Sequence, residues 1–114
     1  MPLRFAIIGG GPAGVAAATY AARLGAEVTV IERDVLGGAA NLWDCIPSKA
    51  MIATGATFNQ VDEAGSMGVD VADASVHLDS VRQRIEAITT SLAKSNRTLL
   101  ESQHVNLVEG TGRL

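Results

Sequence analysis

The 114-residue sequence predicts an α/β fold built on a parallel sheet. A short apolar segment, Arg4–Ile8, is typical of a buried strand and ends at three consecutive glycines. The alanine-rich segment 14–23 contains strong helix formers and precedes Gly25, a suitable residue for a helix C-terminus. A second β-branched segment, Glu27–Ile31, follows. Strand, glycine turn, helix and strand in this order form the right-handed unit of a parallel sheet.

The composition fits one small globular unit and indicates neither a nucleic-acid nor a membrane partner. The net charge is −3 and the pI is near 5.2, so the chain has no basic surface that would attract nucleic acid or anionic lipid. No signal-peptide pattern precedes the first strand, and the longest apolar segment, 12–22, is too short to span a bilayer. The single cysteine agrees with a reducing compartment. We therefore expect a cytoplasmic protein.

The glycine turn after the first strand matches the pattern G-x-G-x-x-G. Gly9 suits the tight turn, Gly11 lets a pyrophosphate approach the backbone, and Gly14 allows the helix to pack on the strand. The N-terminus of the helix predicted over residues 14–23 directs its free N–H groups and its dipole at the same place, which favours an anion. A glycine turn that serves packing alone is the alternative.

An acidic residue ends the second strand at the distance expected for a ribose contact. Glu32 lies 18 residues after Gly14, close to the roughly 20-residue spacing of a carboxylate that binds an adenosine ribose. Together with the glycine turn, this spacing predicts a dinucleotide site. The carboxylate would repel a 2′-phosphate, although the neighbouring Arg33 weakens that argument.

The stretch 37–49, GGAANLWDCIPSK, indicates which dinucleotide is bound. It resembles the signature G-G-T-C-x-x-x-x-C-x-P-S-K of the pyridine nucleotide-disulfide oxidoreductases, a flavoenzyme family that includes dihydrolipoamide dehydrogenase, glutathione reductase, mercuric reductase and soluble pyridine nucleotide transhydrogenase. Cys45 stands at the second cysteine of the signature, whereas Ala40 stands at the first. The resemblance is strong over residues 4–55 and resumes over residues 105–114.

The resemblance implies that the chain is the N-terminal part of a Rossmann-like FAD-binding domain with a long helical excursion. It also implies that NAD(P)H, the co-substrate, and the dimer contacts of a homodimer use domains that residues 1–114 do not include. The cofactor-binding residues implied in this way are Gly9, Gly11, Pro12, Ala13, Gly14, Glu32, Arg33, Gly37, Gly38, Ala39, Lys49 and Gly112.

Two residues of the signature are implied to take part in catalysis. The resemblance places Cys45 against the flavin and Lys49 near its hydride-accepting nitrogen, where a cation stabilises the reduced ring. Pro47 suits a first helical turn, so Cys45 is expected at a helix start that stabilises a thiolate, although the charge of Asp44 opposes this. An inert buried cysteine and a solvated lysine are the alternatives.

The loss of the first cysteine defines the expected reaction. In the family, this cysteine exchanges with the substrate disulfide, and Ala40 cannot do so. We therefore expect hydride to pass from NAD(P)H through FAD to a small non-disulfide acceptor, either a quinone or a pyridine nucleotide. The alternatives are a dihydrolipoamide dehydrogenase-like or single-thiol disulfide or peroxide reductase that uses Cys45, and a non-catalytic nucleotide-binding fragment.

The second half of the sequence predicts a long amphipathic helix and no metal site. Apolar residues spaced by three, four and seven predict a helix from His77 to about Gln103 with one buried face, which packs on its own domain or on a partner. The stripe consists of Leu78, Val81, Ile85, Ile88, Leu92 and Leu99. Residues 51–65 have helical character, and residues 65–77 are expected to form a polar loop. His77 and His104 have no further ligand at metal-binding spacing.

Overall fold

The computed structural model describes residues 1–114 and confirms the α/β prediction. It contains a three-stranded parallel sheet in the order β1-β2-β3, with four α-helices and one 3₁₀ turn. The elements are β1 (Arg4–Ile8), α1 (Pro12–Arg23), β2 (Glu27–Glu32), α2 (Gly38–Leu42), α3 (Cys45–Glu63), the 3₁₀ turn (Ala64–Met67), α4 (Leu78–Ser102) and β3 (Asn106–Glu109).

The strand register brings three chain segments to one edge of the sheet. Ile8 pairs with Ile31, and Glu32 pairs with Glu109, so all three strands end at the same level. The carboxyl edge of a parallel sheet is where ligands bind in open α/β folds. The glycine turn after β1, the end of β2 and the segment after β3 therefore share this edge.

The core lies between β2 and the helices α1 and α4. Ala18 of α1, Val30 of β2 and Leu100 of α4 are almost completely inaccessible to solvent. The rest of this cluster consists of Val15, Val28, Leu36 and Val105. Because Leu100 is fully buried in it, its truncation to alanine is expected to cost about 2–5 kcal/mol. The cluster thus fixes the end of α4 next to β3.

Two sequence-based expectations need correction. The helix α4 has the predicted bounds, but its apolar stripe is only partly covered: Val81 is buried, whereas Leu78, Leu92 and Leu99 are exposed. The most buried residue of α4 is Leu100, which was not part of the predicted stripe. Leu92 and Leu99 line a cavity instead of packing on a second apolar surface, and this is why these two residues remain exposed.

The structure also contains two short elements that the sequence pattern did not predict. The helix α2 has only five residues, the first of them a glycine, so it is too short for a periodic signal. The 3₁₀ turn occupies the beginning of the segment that was expected to be a loop. No helix combines the length and the apolar character that a membrane crossing requires.

Candidate functional site

A cleft of about 590 Å³ lies at the carboxyl edge of the sheet. The turn after β1, the end of β2, α2 and the segment after β3 all contribute to its walls. The predicted cofactor-binding residues that line it are Gly9, Gly11, Glu32, Arg33, Gly38, Ala39 and Gly112. Sequence positions that are more than 100 residues apart therefore meet around one space.

The three motif glycines of the first turn differ in whether the protein structure itself requires glycine at their position. Gly9 adopts a φ of +101°, which favours glycine, and a Cβ on Gly14 would overlap the Gly9 carbonyl oxygen. Gly11 has an ordinary φ of −68°, and a Cβ there would meet no atom within 4 Å. Neither backbone strain nor packing therefore explains glycine at position 11. Because Gly11 has no side chain, its backbone is open to the cleft.

The N-terminus of α1 supplies free donors beside this open backbone. The N–H of Val15 donates the first bond of the helix, to the Gly11 carbonyl at 2.9 Å. The N–H groups of Ala13 and Gly14 precede that bond and have no partner within the helix. Pro12 occupies the first helical position, where its lack of an N–H costs nothing. The geometry fits an anion such as a pyrophosphate.

Backbone donors hold the Glu32 carboxylate in place. Its Oε2 accepts a hydrogen bond from the Gly10 N–H at 2.6 Å, and its Oε1 accepts one from the Asp34 N–H at 2.8 Å. Each carboxylate oxygen keeps a further lone-pair site, so Glu32 can still accept bonds from ribose hydroxyls. The carboxylate is thus oriented before any ligand arrives.

Gly10 was missed by the sequence reasoning, although it fixes this part of the cleft. A Cβ on Gly10 would lie 2.7 Å from Leu36 Cδ2 and 3.2 Å from Glu32 Cβ. Its carbonyl accepts a bond from the Gly37 N–H at 2.8 Å. The run of three glycines, with one more than the motif needs, was the available signal.

Gly37, the N-cap of α2, and Gly38, its first residue, join this helix to the glycine turn. Gly37 and Gly38 have φ values of +105° and +57°, and a Cβ on Gly38 would lie 3.0 Å from Gly11 Cα. Two segments that the motifs predict separately are therefore in backbone contact. This contact sets the width of the cleft between α1 and α2.

The helix α2 has two faces that line different spaces. Gly38, Ala39 and Leu42 face the cleft, together with Trp43 just beyond the helix. Gly37, Ala40 and Asn41 face a second cavity of about 540 Å³ between α1, α2 and α4. Pro12 also lies on this second side. The position where the family signature has its first cysteine is therefore turned away from the cleft.

Asn41 ties α2 to α4 across the second cavity. It is only 4% exposed, and its Nδ2 donates a hydrogen bond to the Thr89 carbonyl at 3.0 Å. The side chains around the cavity come mainly from α1 and α4, and they include Thr19, Tyr20, Leu92, Asn96 and Leu99. The sequence reasoning did not identify this cavity, because its walls come from segments with no shared motif.

Cys45 and Lys49 lie on α3, directly beyond the end of α2. Cys45 is the first residue of α3 and is half-buried, and Lys49 is exposed one helical turn later. Asp44 takes the N-cap position, yet its side chain makes no capping hydrogen bond. The expected helix start at Cys45 is thus confirmed. Neither Cys45 nor Lys49 lines the cleft, and their roles stay predictions.

The segment after β3 closes the cleft on its far side. The Gly110 N–H donates to the Glu32 carbonyl at 2.8 Å and continues the sheet pairing. A Cβ on Gly112 would lie 2.8 Å from Ile8 Cγ1, so glycine there lets the chain pack on β1. The lining residues that sequence reasoning missed are Ile8, Ile31, Asp34, Leu42, Trp43, Gly110 and Thr111.

A parallel β–α–β unit with a glycine-rich cleft at its carboxyl edge defines a Rossmann-type dinucleotide-binding fold. Residues 3–114 match the profile of the family described as pyridine nucleotide-disulphide oxidoreductase. The chain belongs to this family.

Curated relatives of the chain have two different names. It is 40% identical to dihydrolipoyl dehydrogenase 2 of Haloarcula marismortui, with 92% of this chain and 22% of the relative covered. It is 37% identical to an NAD(P)H dehydrogenase (quinone) of Mycobacterium tuberculosis, with 100% of this chain and 24% of the relative covered. The chain thus spans about a quarter of the length of these relatives.

A solved structure has the same fold. The crystal structure of LpdA from Mycobacterium tuberculosis superimposes with a TM-score of 0.90 at 34% identity. The comparison covers 98% of this chain and 24% of LpdA. The superimposed region therefore includes the long helix α4 as well as the sheet.

Proposed function

We propose that this chain forms the N-terminal part of the FAD-binding domain of an NAD(P)H-dependent oxidoreductase whose acceptor is not a disulfide. The acceptor class is a quinone or a second pyridine nucleotide. The observation that carries this proposal is Ala40, which stands where the family signature has its substrate-facing cysteine. Cys45 is the only cysteine in the sequence, so these residues contain no dithiol pair.

The residues of the cleft fit the FAD dinucleotide. The open backbone at Gly11 and the free N–H groups of Ala13 and Gly14 suit the pyrophosphate. The oriented Glu32 carboxylate suits the adenosine ribose, with Arg33 and Gly112 beside it. Gly38 and Ala39 form the opposite wall. These contacts support binding of the cofactor along the carboxyl edge of the sheet.

The bound flavin would supply hydride acceptance from NAD(P)H and electron delivery to the acceptor. With a quinone, one NAD(P)H and one proton are consumed, and NAD(P)⁺ and the hydroquinone are released. As the resemblance to the family implies, Lys49 would hold a positive charge near the ring, which would favour the added electrons. Cys45 would flank the flavin, and the overall reaction would need no thiol exchange.

The names of the relatives leave two candidate acceptors. The name of the Haloarcula marismortui relative, dihydrolipoyl dehydrogenase 2, indicates a substrate that cycles between dithiol and disulfide. The name of the Mycobacterium tuberculosis relative, NAD(P)H dehydrogenase (quinone), indicates a quinone. A disulfide relay requires two sulfur atoms, and an alanine side chain has none. Ala40 therefore favours the quinone or pyridine nucleotide over lipoamide.

The remaining parts of the proposal concern the whole protein. The relatives are about four times longer than the aligned region. We propose that the full-length protein is a cytoplasmic homodimer and binds NAD(P)H in a separate domain. Its substrates are then the reduced nucleotide and one small-molecule acceptor, without nucleic acid.

The experiment that tests this function uses full-length protein purified with its native cofactor. Heat denaturation is expected to release FAD, identified by its absorbance and chromatography, in a ratio of about one per chain. Turnover with NADH and NADPH is then measured against a soluble quinone, an oxidised pyridine nucleotide, lipoamide and glutathione disulfide. Activity is expected with the quinone or with the oxidised pyridine nucleotide, and not with lipoamide or glutathione disulfide. Release of NAD without flavin would refute the proposal.

A further inference from the structure

Trp43 is an exposed aromatic residue on the wall of the cleft. The residue is 78% exposed, and it is the only aromatic residue that lines the cleft. Single exposed apolar residues are common on protein surfaces. The placement of this one is specific, because it lies in a concave site beside the open glycine backbone.

The backbone that carries Trp43 is held by α2. The Trp43 N–H donates to the Ala39 carbonyl at 2.9 Å and closes the last turn of the helix. The Asp44 N–H bonds to the same carbonyl at 3.1 Å. The backbone of Trp43 is therefore fixed by hydrogen bonds, and Trp43 lines the cleft together with Ala39 and Leu42.

The wall of the cleft combines two kinds of chemistry. Glu32, Arg33 and Asp34 from the end of β2 and the residues after it suit hydroxyl groups and charges. Leu42 and Trp43, at the end of α2, suit an apolar planar group. A ligand with both a sugar and an aromatic ring system therefore matches this lining.

We propose that Trp43 is a cofactor-contacting residue whose indole packs against the bound flavin dinucleotide and slows its release. This inference rests on the proposed function, because it assumes that a flavin occupies the cleft. An indole has a large apolar surface and packs well against other π systems. Its contact with the cofactor removes from water a side chain that is otherwise largely exposed.

The test uses full-length protein that carries its flavin, with the variants Trp43→Leu and Trp43→Phe. Tyr20→Leu is the matched control, because Tyr20 is 69% exposed and lines the second cavity instead of the cleft. Release is followed by the appearance of free-flavin fluorescence after dilution into flavin-free buffer. We expect release about tenfold faster for Trp43→Leu and about threefold faster for Trp43→Phe. Tyr20→Leu is expected to stay within about twofold of the natural protein.

One result would overturn the role of Trp43 while leaving the proposed function intact, namely flavin release from Trp43→Leu at the natural rate. A raised KM for a quinone in that same variant would then place the indole against the acceptor. Absence of flavin from the natural protein would instead refute the proposed function itself.

Discussion

The cleft and the second cavity lie on opposite faces of α2 and are built from different materials. The cleft is rich in glycine: five glycines line it, together with the oriented Glu32 carboxylate and side chains such as Trp43. The second cavity is lined by residues of all four α-helices, and it includes Thr19, whose buried Oγ1 has no hydrogen-bond partner. One short helix thus separates a glycine-rich site from one whose lining contains a single glycine. Substitutions on the two sides should therefore have separable effects.

The largest expected effect comes from adding one methyl group at Gly14. A Cβ there would overlap the Gly9 carbonyl oxygen, so Gly14→Ala must displace α1 from β1. We expect a loss of about 3 kcal/mol or more in the free energy of unfolding, together with loss of bound flavin. Urea unfolding of the full-length protein measures the change.

Gly55→Ala is the control for this substitution. Gly55 lies inside α3, and a Cβ there would meet no atom within 4 Å. Because alanine is the better helix former, we expect the same methyl group to raise stability by about 1 kcal/mol. If Gly14→Ala were as stable as Gly55→Ala, the proposed packing of α1 on β1 would be wrong.

Gly11→Ala separates binding from folding within the cleft. The new Cβ meets no protein atom, so we expect stability to change by less than about 1 kcal/mol. The same Cβ would occupy the space through which, in our proposal, the pyrophosphate approaches the backbone, and we expect FAD affinity to fall about 100-fold. Calorimetric titration of the full-length apoprotein with FAD gives the affinity. Natural affinity in a well-folded Gly11→Ala variant would show that the cleft does not hold the pyrophosphate.

On the other side of α2, we expect Asn41→Leu to lower stability without changing flavin affinity. This variant removes the bond from Nδ2 to the Thr89 carbonyl but keeps a side chain of similar size. The carbonyl remains within the α4 helix, so we expect a loss of only about 1 kcal/mol in the free energy of unfolding. Flavin affinity should not change, because Asn41 does not line the cleft. A tenfold loss of flavin affinity without loss of stability would show that the two sides of α2 are coupled.

The sequence was informative wherever a local pattern determines the structure. Gly9 and Gly14 are required by backbone conformation and by close packing, and both were identified from the spacing of the motif. The register of the sheet then places Glu32 beside the same turn. The bounds of α4 follow from its periodic apolar residues in the same way.

The sequence was uninformative where a residue acts through tertiary placement. Asn41 looks like an ordinary polar residue until α4 is packed against α2 and provides the Thr89 carbonyl. Trp43 carries no local signal that assigns it to the cleft, because its position depends on how α2 leaves the glycine turn. The partial exposure of Leu92 and Leu99 likewise depends on the cavity beneath α4.

The most direct test of the central claim is whether the protein still oxidises NAD(P)H without Cys45, the only cysteine of residues 1–114. NAD(P)H oxidation by the full-length protein and by its Cys45→Ser variant is measured with a quinone and with lipoamide, each at equal flavin content. The account predicts quinone reduction by both proteins at rates within about fivefold of each other, and no lipoamide reduction by either. Robust lipoamide reduction by the natural protein, or complete loss of quinone reduction in a flavin-loaded Cys45→Ser variant, would contradict it.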